Sequence, residues 1–258
     1  MGTLLRYEFR RILKSRYFYI CSAISFVMIF LAALGTKVLQ SVAQQVAMEG
    51  VDPSSITSSG LIGLKTGMSG GLFTVLGAII IGMFISEEYS QETIKNVYSK
   101  GYSRNVVFFS TYIVSLVAAI VLFLLESLIN FGFHTLFFQN VGTPGENYAL
   151  SMVGLLLIAI AYHAFFFGLS ISVRKSGPAI ALAIAAPLIL AALVALLDTL
   201  LFRESSFKLA DYWLSGRESA MAVTNVSIEE FGKTIASSLV LTALLLGGSF
   251  LINSKRES

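Results

Sequence analysis

Residues 106–133 read VVFFSTYIVSLVAAIVLFLLESLINFGF and form the longest apolar run of the chain. An α-helix rises 1.5 Å per residue, so about 20 apolar residues cross the hydrocarbon core of a bilayer. This run exceeds that length and predicts a transmembrane helix that tilts or continues past the bilayer. It contains one acidic residue, Glu126, and no basic residue. The stretch therefore predicts an integral membrane protein.

The composition of the whole chain leads to the same class. The 258 residues are 55% hydrophobic and 13% charged, with a mean hydropathy of +0.78, whereas soluble domains carry about 25% charged residues. Five more runs are long enough to span, namely 17–37, 69–86, 149–173, 177–200 and 234–252. We predict an all-α polytopic fold with six transmembrane helices in one domain, 1–258. The small net charge of +3 gives no reason to expect a nucleic-acid partner.

The positions of the basic residues predict the topology. An even number of spans places both termini on one side of the membrane. The two termini and the connections at 87–105 and 174–176 hold 12 Lys and Arg residues, and the other connections hold 6. Because cytoplasmic segments retain an excess of Lys and Arg, both termini are expected in the cytoplasm. The localisation that we predict is multi-pass, in a plasma membrane of the bacterial type.

Residues 1–16 predict an amphipathic helix at the membrane surface. Four apolar residues fall on one helical face and three basic residues on another: Leu5, Phe9, Ile12 and Leu13, against Arg6, Arg10 and Lys14. Such a helix lies in the headgroup region. Two roles are open, a positive anchor that fixes topology or an elbow that also contacts a partner.

Segment 201–233 is one of the long connections on the other side. It mixes aromatic and apolar residues with charges of both signs. This composition is too apolar for a free linker and too polar for a span, so short helices at the outer surface are predicted.

Residues 87–104 read EEYSQETIKNVYSKGYSR and are a polar insert between two apolar runs. Residues 93–97 predict about two helical turns with Ile94 and Val97 on one face, and Gly101 is expected to end the helix. A short helix that joins two spans can transmit motion, because a push on it displaces both.

The sequence contains no G-x-x-x-x-G-K-[ST] phosphate-binding loop. The chain therefore cannot bind ATP by that device, and its soluble segments are too small for a catalytic domain, so we predict that it performs no catalysis and holds no cofactor. If ATP drives transport, the ATP and Mg²⁺ must be bound by a second polypeptide.

The insert resembles the segment between the second and third spans of ABC type 2 permeases. The shared pattern is the acidic pair at 87–88, the Thr-Ile-Lys-Asn core at 93–96, then Ser99 and the closing Ser-Arg at 103–104. Six spans and a basic amphipathic N-terminus fit the family as well. The resemblance covers the whole chain in layout and about 18 residues in motif. Glu92 departs from it, since many relatives have glycine there, which puts the local turn in doubt.

The resemblance implies a pair of permease subunits, identical or related, each bound to an ABC ATP-binding subunit. The cargo would be hydrophobic or amphipathic, such as a bacteriocin or lantibiotic peptide or a lipophilic antibiotic. The residues implied in ATPase coupling are Glu87, Glu88, Thr93, Ile94, Lys95, Asn96, Ser99 and Arg104. The elbow role of the N-terminal helix falls to Phe9, Arg10, Ile12 and Leu13.

Glu126, Asn130 and His134 are spaced i, i+4 and i+8 and share one face of the third span. Two roles are open for this stripe, a substrate path or a packing face. Two potential ligands are too few for a metal site.

A repeat of small residues and a run of aromatic residues complete the candidate functional patterns. Gly63, Gly67 and Gly71 recur every four residues, which allows close helix packing either across a dimer or within the chain. The phenylalanines at 165–167 predict lipid-facing or interfacial bulk, with a cargo site as the less favoured interpretation.

Two functions of other classes compete with the ATP-driven permease. A secondary transporter or channel needs several ionisable groups within the membrane, and here Glu126 is the main candidate. A scaffold or sensor subunit that transports nothing is the other alternative.

Overall fold

Ten α-helices and one short 3-10 helix build the described part of the chain. The computed structural model describes residues 2–46, 58–69, 71–90, 93–203 and 207–255. In chain order the α-helices are α1 (Gly2–Lys14), α2 (Arg16–Val46), α3 (Gly60–Ser69), α4 (Gly71–Ser90), α5 (Thr93–Ser99), α6 (Arg104–Phe138), α7 (Tyr148–Val173), α8 (Ser176–Leu201), α9 (Leu214–Ala222) and α10 (Ile228–Lys255). The 3-10 helix, Leu209–Tyr212, lies between α8 and α9.

Six helices, α2, α4, α6, α7, α8 and α10, are long and apolar enough to cross a bilayer. This confirms the predicted all-α polytopic fold. Two of them extend well past the predicted runs, because α2 continues to Val46 and α10 begins at Ile228. Hydropathy marks only the part of a helix that enters the hydrocarbon, whereas the backbone hydrogen bonds of the helix continue beyond it.

Helix α3 packs closely along α6, and glycines make this possible. A Cβ atom added to Gly63 would lie 2.6 Å from the Cβ of His134, and one added to Gly67 would lie 2.8 Å from the Cα of Ser127. A Cβ at Gly71 would meet no atom within 4 Å. Of the two interpretations of the glycine repeat, the structure therefore supports packing within the chain, and only the first two glycines take part.

Helix α7 is the central helix of the bundle, and this overturns one prediction. The phenylalanines at 165–167 are all buried in the core rather than facing lipid. Helices α4, α6, α8 and α10 all contact α7, so most of its faces meet protein. Leu31, Leu188 and Leu244 on α2, α8 and α10 are exposed instead.

The two ends of the bundle differ in structure. At the end called here the α5 end, α5 joins α4 to α6 and α1 packs beside them. At the opposite α9 end, segment 201–233 forms the 3-10 helix, α9 and the first turns of α10. The Asp198 carboxylate accepts hydrogen bonds from the backbone N–H groups of Leu209 (2.6 Å) and Ala210 (2.7 Å). Arg217 pairs with Glu230 at 2.6 Å, so polar contacts hold this end in place.

Candidate coupling site

Helix α5 begins at Thr93 and ends where the sequence predicts. Gly101 has a φ of +83°, a left-handed conformation that glycine adopts without strain, and its N–H donates to the carbonyl of Tyr98 at 2.9 Å. Ser103 then caps α6, because its Oγ accepts from the N–H of Val106 at 3.4 Å. The short α5 is thus separated from α6 by a defined turn.

An apolar cluster holds α5 against its neighbours. Ile94 and Val97 of α5 are buried together with Leu4 of α1 and Val107 of α6, and the half-buried Tyr98 packs against them. Burying an aliphatic side chain of this size stabilises by about 1.5–3 kcal/mol. The cluster therefore makes α1, α5 and the start of α6 one packed unit.

The other face of α5 is polar and exposed. Lys95, Asn96 and Ser99 point away from the bundle, as does Lys100 after the helix. We call these four residues the coupling surface. Arg104 is exposed at the start of α6. Thr93 begins α5, but its side chain lies outside the described part of the structure.

The acidic pair at the end of α4 binds α1 and α2. Glu88 is 2% exposed, and its Oε2 lies 3.5 Å from an Nη of Arg11. The Tyr17 hydroxyl donates to Glu87 at 3.1 Å. The pair was predicted among the residues that couple to the ATPase, yet a partner protein cannot reach Glu88 directly in this conformation. Its contacts make it a positioning residue between α4 and α1.

Two residues of this cluster, Glu8 and Arg11, were missed by the sequence analysis. Glu8 is 0% exposed, and its Oε2 lies 3.0 Å from an Nη of Arg11. The same Arg11 side chain donates to the carbonyl of Phe84 at 3.2 Å and lies 4.0 Å from the centre of its ring. The signal was present in the spacing, because Glu8 lies midway between Leu4 and Ile12 on the buried face of α1.

The buried face of α1 also corrects the predicted apolar face. Ile12 is buried and Phe9 is half-buried, as expected of that face, but Leu13 is exposed. Arg10 is exposed too. The buried face of α1 includes Leu4 and Glu8 because the helix packs against the other helices. The sequence prediction assumed instead that this face lies on a flat lipid surface.

The Glu8 carboxyl has a raised pKa of about 7 instead of the usual 4.5. Burial is the main cause, the charge of Glu88 adds to it, and Arg11 lowers it. Between these values the folded chain holds a proton that the unfolded chain releases, so stability is full below pH 4.5 and is lost as the pH rises to 7.

We expect the thermal midpoint of the purified protein to fall between pH 5 and pH 7.5, as the buried Glu8 carboxyl loses its proton. Glu8→Gln should make this fall smaller, since an amide cannot release the proton. Glu229→Gln, at an exposed position of the α9 end, should leave it unchanged. Parallel profiles for the wild type and Glu8→Gln would exclude Glu8 as the titrating group.

The stripe on α6 is used for packing between helices. Glu126 and His134 are buried, Ser25 of α2 donates to Glu126 at 2.7 Å, and Ser58 lies 2.8 Å from Nδ1 of His134. Asn130 packs beside Gly67 of α3. These partners favour the packing role over the substrate path, because the three side chains face α2 and α3.

The fold and this site define a class of protein: a six-span membrane protein with a docked amphipathic N-terminal helix and a short polar helix between two spans. The family model for ABC-2 family transporter proteins matches residues 4–205. The chain therefore belongs to the ABC-2 transporter family and is a membrane-spanning permease subunit. Membership also implies a partnership with an ABC ATP-binding subunit. A comparison with curated proteins found no match.

Proposed function

We propose that the chain is the permease of an ATP-driven exporter and that its ATP-binding partner docks on the coupling surface. The observation that carries the proposal is the two-sided character of α5. Its apolar face is packed against α1 and α6 through Ile94 and Val97, and its polar face is exposed at Lys95 and Asn96.

This arrangement suits the transmission of force. A partner that pushes on α5 displaces α4 and α6, which α5 joins, and also α1 through the Leu4 contact. Arg11 forms a separate link between α1 and the end of α4, through Glu88. The partner would bind ATP and Mg²⁺, and the α5 end would lie in the cytoplasm, as the excess of basic residues there predicts.

The exposed apolar faces support assembly with a second permease subunit. Helices α2, α8 and α10 present exposed leucines, which lipid and a second subunit can share. The proposed cargo is hydrophobic or amphipathic, a peptide such as a bacteriocin or lantibiotic, or a lipophilic antibiotic. It would be moved outward or extracted from the leaflet.

Ion-coupled transport without an ATPase is less well supported. Glu126, the main intramembrane carboxylate available to it, is buried and hydrogen-bonded to Ser25. A coupling ion needs a group that alternates between partners, whereas this one is held between α2 and α6.

The Lys95→Ala/Asn96→Ala variant tests the docking surface. We expect the ATP-binding subunit to bind about tenfold more weakly, equivalent to 1.4 kcal/mol, and ATP hydrolysis to lose its dependence on cargo. The thermal midpoint of the permease alone should not change, since both side chains are exposed. Co-purification and hydrolysis measured with and without cargo check this.

Lys37→Ala is the matched control, because Lys37 is an exposed lysine far from α5. This variant should leave both co-purification of the ATP-binding subunit and cargo-dependent ATP hydrolysis unchanged. If the double variant binds and couples like the wild type, the partner docks elsewhere.

A further inference from the structure

A pocket at the α9 end has a character unlike the coupling site. It has a volume of about 230 Å³ and lies between α3, the turn before α7 and the residues after α9. Its walls combine the apolar Leu61 and Ile62 with the threonines at 66, 143 and 224. None of the described residues that line it is acidic.

Lys65 is the charged group of this pocket. It is 6% exposed, its ammonium donates to the carbonyl of Val223, and it lies 5.6 Å from the ring centre of Tyr148. Across the described ranges of the chain, Lys65 forms no ion pair. An ammonium carries three N–H donors, and one of them is used by Val223.

Burial of this lysine without a counter-ion is costly. Buried charges in proteins are normally paired, and burial lowers the pKa of Lys65. The Tyr148 ring compensates only in part, since a cation–π contact is weaker than an ion pair with a buried counter-ion. The Tyr148 hydroxyl donates to the carbonyl of Leu61 at 2.8 Å, so the ring is held in position beside the ammonium.

We propose that this pocket binds an oxyanion, a carboxylate or phosphate group, with Lys65 as its counter-ion and the hydroxyls of Thr143 and Thr224 as further donors, since the Thr66 hydroxyl already donates to the carbonyl of Ile62. The apolar wall would hold the aliphatic part adjoining the anion. The volume is below the 300–1,000 Å³ of pockets for drug-sized ligands, so it suits a headgroup rather than a whole amphiphile. The site lies at the opposite end from the coupling surface and is independent of ATPase docking.

Two sources could supply the oxyanion, a soluble anion or a lipid headgroup. The purified full chain in detergent would be titrated with sodium phosphate against sodium chloride at equal ionic strength. In a second arm, nanodiscs of phosphatidylcholine alone would be compared with nanodiscs that also contain phosphatidylglycerol. The thermal midpoint is measured in both arms.

We expect the midpoint to rise with the logarithm of the ligand concentration, by roughly 5–10 °C at about a hundredfold excess over the dissociation constant. Lys65→Met should abolish it. Ile62→Trp should abolish it as well by filling the pocket, and this exposed position does not contribute to the core. Lys37→Met, a change of the same kind at an exposed site, should keep the full rise.

The outcomes separate as follows. A rise with phosphate identifies a soluble oxyanion as sufficient, and a rise only with phosphatidylglycerol identifies the lipid headgroup. Equal rises in the wild type, Lys65→Met and Ile62→Trp would overturn the proposal, as would the absence of any rise in both arms.

Discussion

Arg11→Met is expected to lower the free energy of unfolding by about 3–5 kcal/mol at pH 8. The substitution keeps most of the side-chain length but removes the cation shared by Glu8 and Glu88. Both carboxylates are buried, so at this pH they must either keep uncompensated charges in a site of low polarity or take up protons from solution, and both outcomes cost free energy. Removing one partner of a buried ion pair leaves the desolvation cost unpaid.

The same variant should uncouple ATP hydrolysis from transport, since Arg11 joins α1 to the end of α4. Its effect on stability should shrink at pH 5, where Glu8 is protonated, because its pKa is raised to about 7 by burial and by Glu88. Thermal midpoints at the two pH values, with hydrolysis measured in the assembled complex, check both statements.

Two further variants test whether charge, rather than packing, causes the loss of stability in Arg11→Met. Glu8→Gln combined with Arg11→Met should recover part of the lost stability at pH 8, because one of the two charges is gone. Arg10→Met, at the exposed neighbouring position, should leave the free energy of unfolding as it is in the wild type. A loss in Arg11→Met that is the same at both pH values and is not recovered in the double variant would show that packing, not charge, holds α1.

Gly67→Ala is expected to lower the free energy of unfolding by about 1–3 kcal/mol, the usual cost of overpacking. The new methyl would lie 2.8 Å from the Cα of Ser127. Backbone atoms cannot turn aside as the end of a flexible side chain can, so α3 must move away from α6. The thermal midpoint of the purified chain reports the effect.

Gly71→Ala is the matched control from the same four-residue repeat. A Cβ there meets no atom within 4 Å, so the variant should be neutral or slightly stabilising. If Gly67→Ala were equally neutral, the close packing of α3 on α6 would be contradicted.

The α5 region shows which structural features can be predicted from local sequence. The end of α5 before Gly101 and the Ser103 cap of α6 follow from residue types and short spacings, and both are observed. The burial of Ile94 and Val97 follows from helical periodicity. The role of Glu8 was missed although its spacing from Leu4 and Ile12 indicated a buried position, because an acidic residue in an amphipathic pattern is normally assigned to the water side.

The spans themselves could be determined from the sequence alone. In lipid each helix must satisfy its own backbone hydrogen bonds, so a span is a local property of about 20 residues. Six apolar runs therefore predicted six helices, and the family motif lay in one polar insert between two of them.

Only the tertiary structure decided which faces meet protein. Lipid and protein interior are both apolar, so hydropathy cannot distinguish the buried phenylalanines at 165–167 from the exposed leucines of α8. The sequence also cannot show which charged residues are buried, since the burial of Glu8, Glu88 and Lys65 depends on helices distant in sequence. The spans and the family motif can therefore be recognised in short stretches of sequence. The candidate ligand pocket and the buried charge cluster form only where separate helices meet.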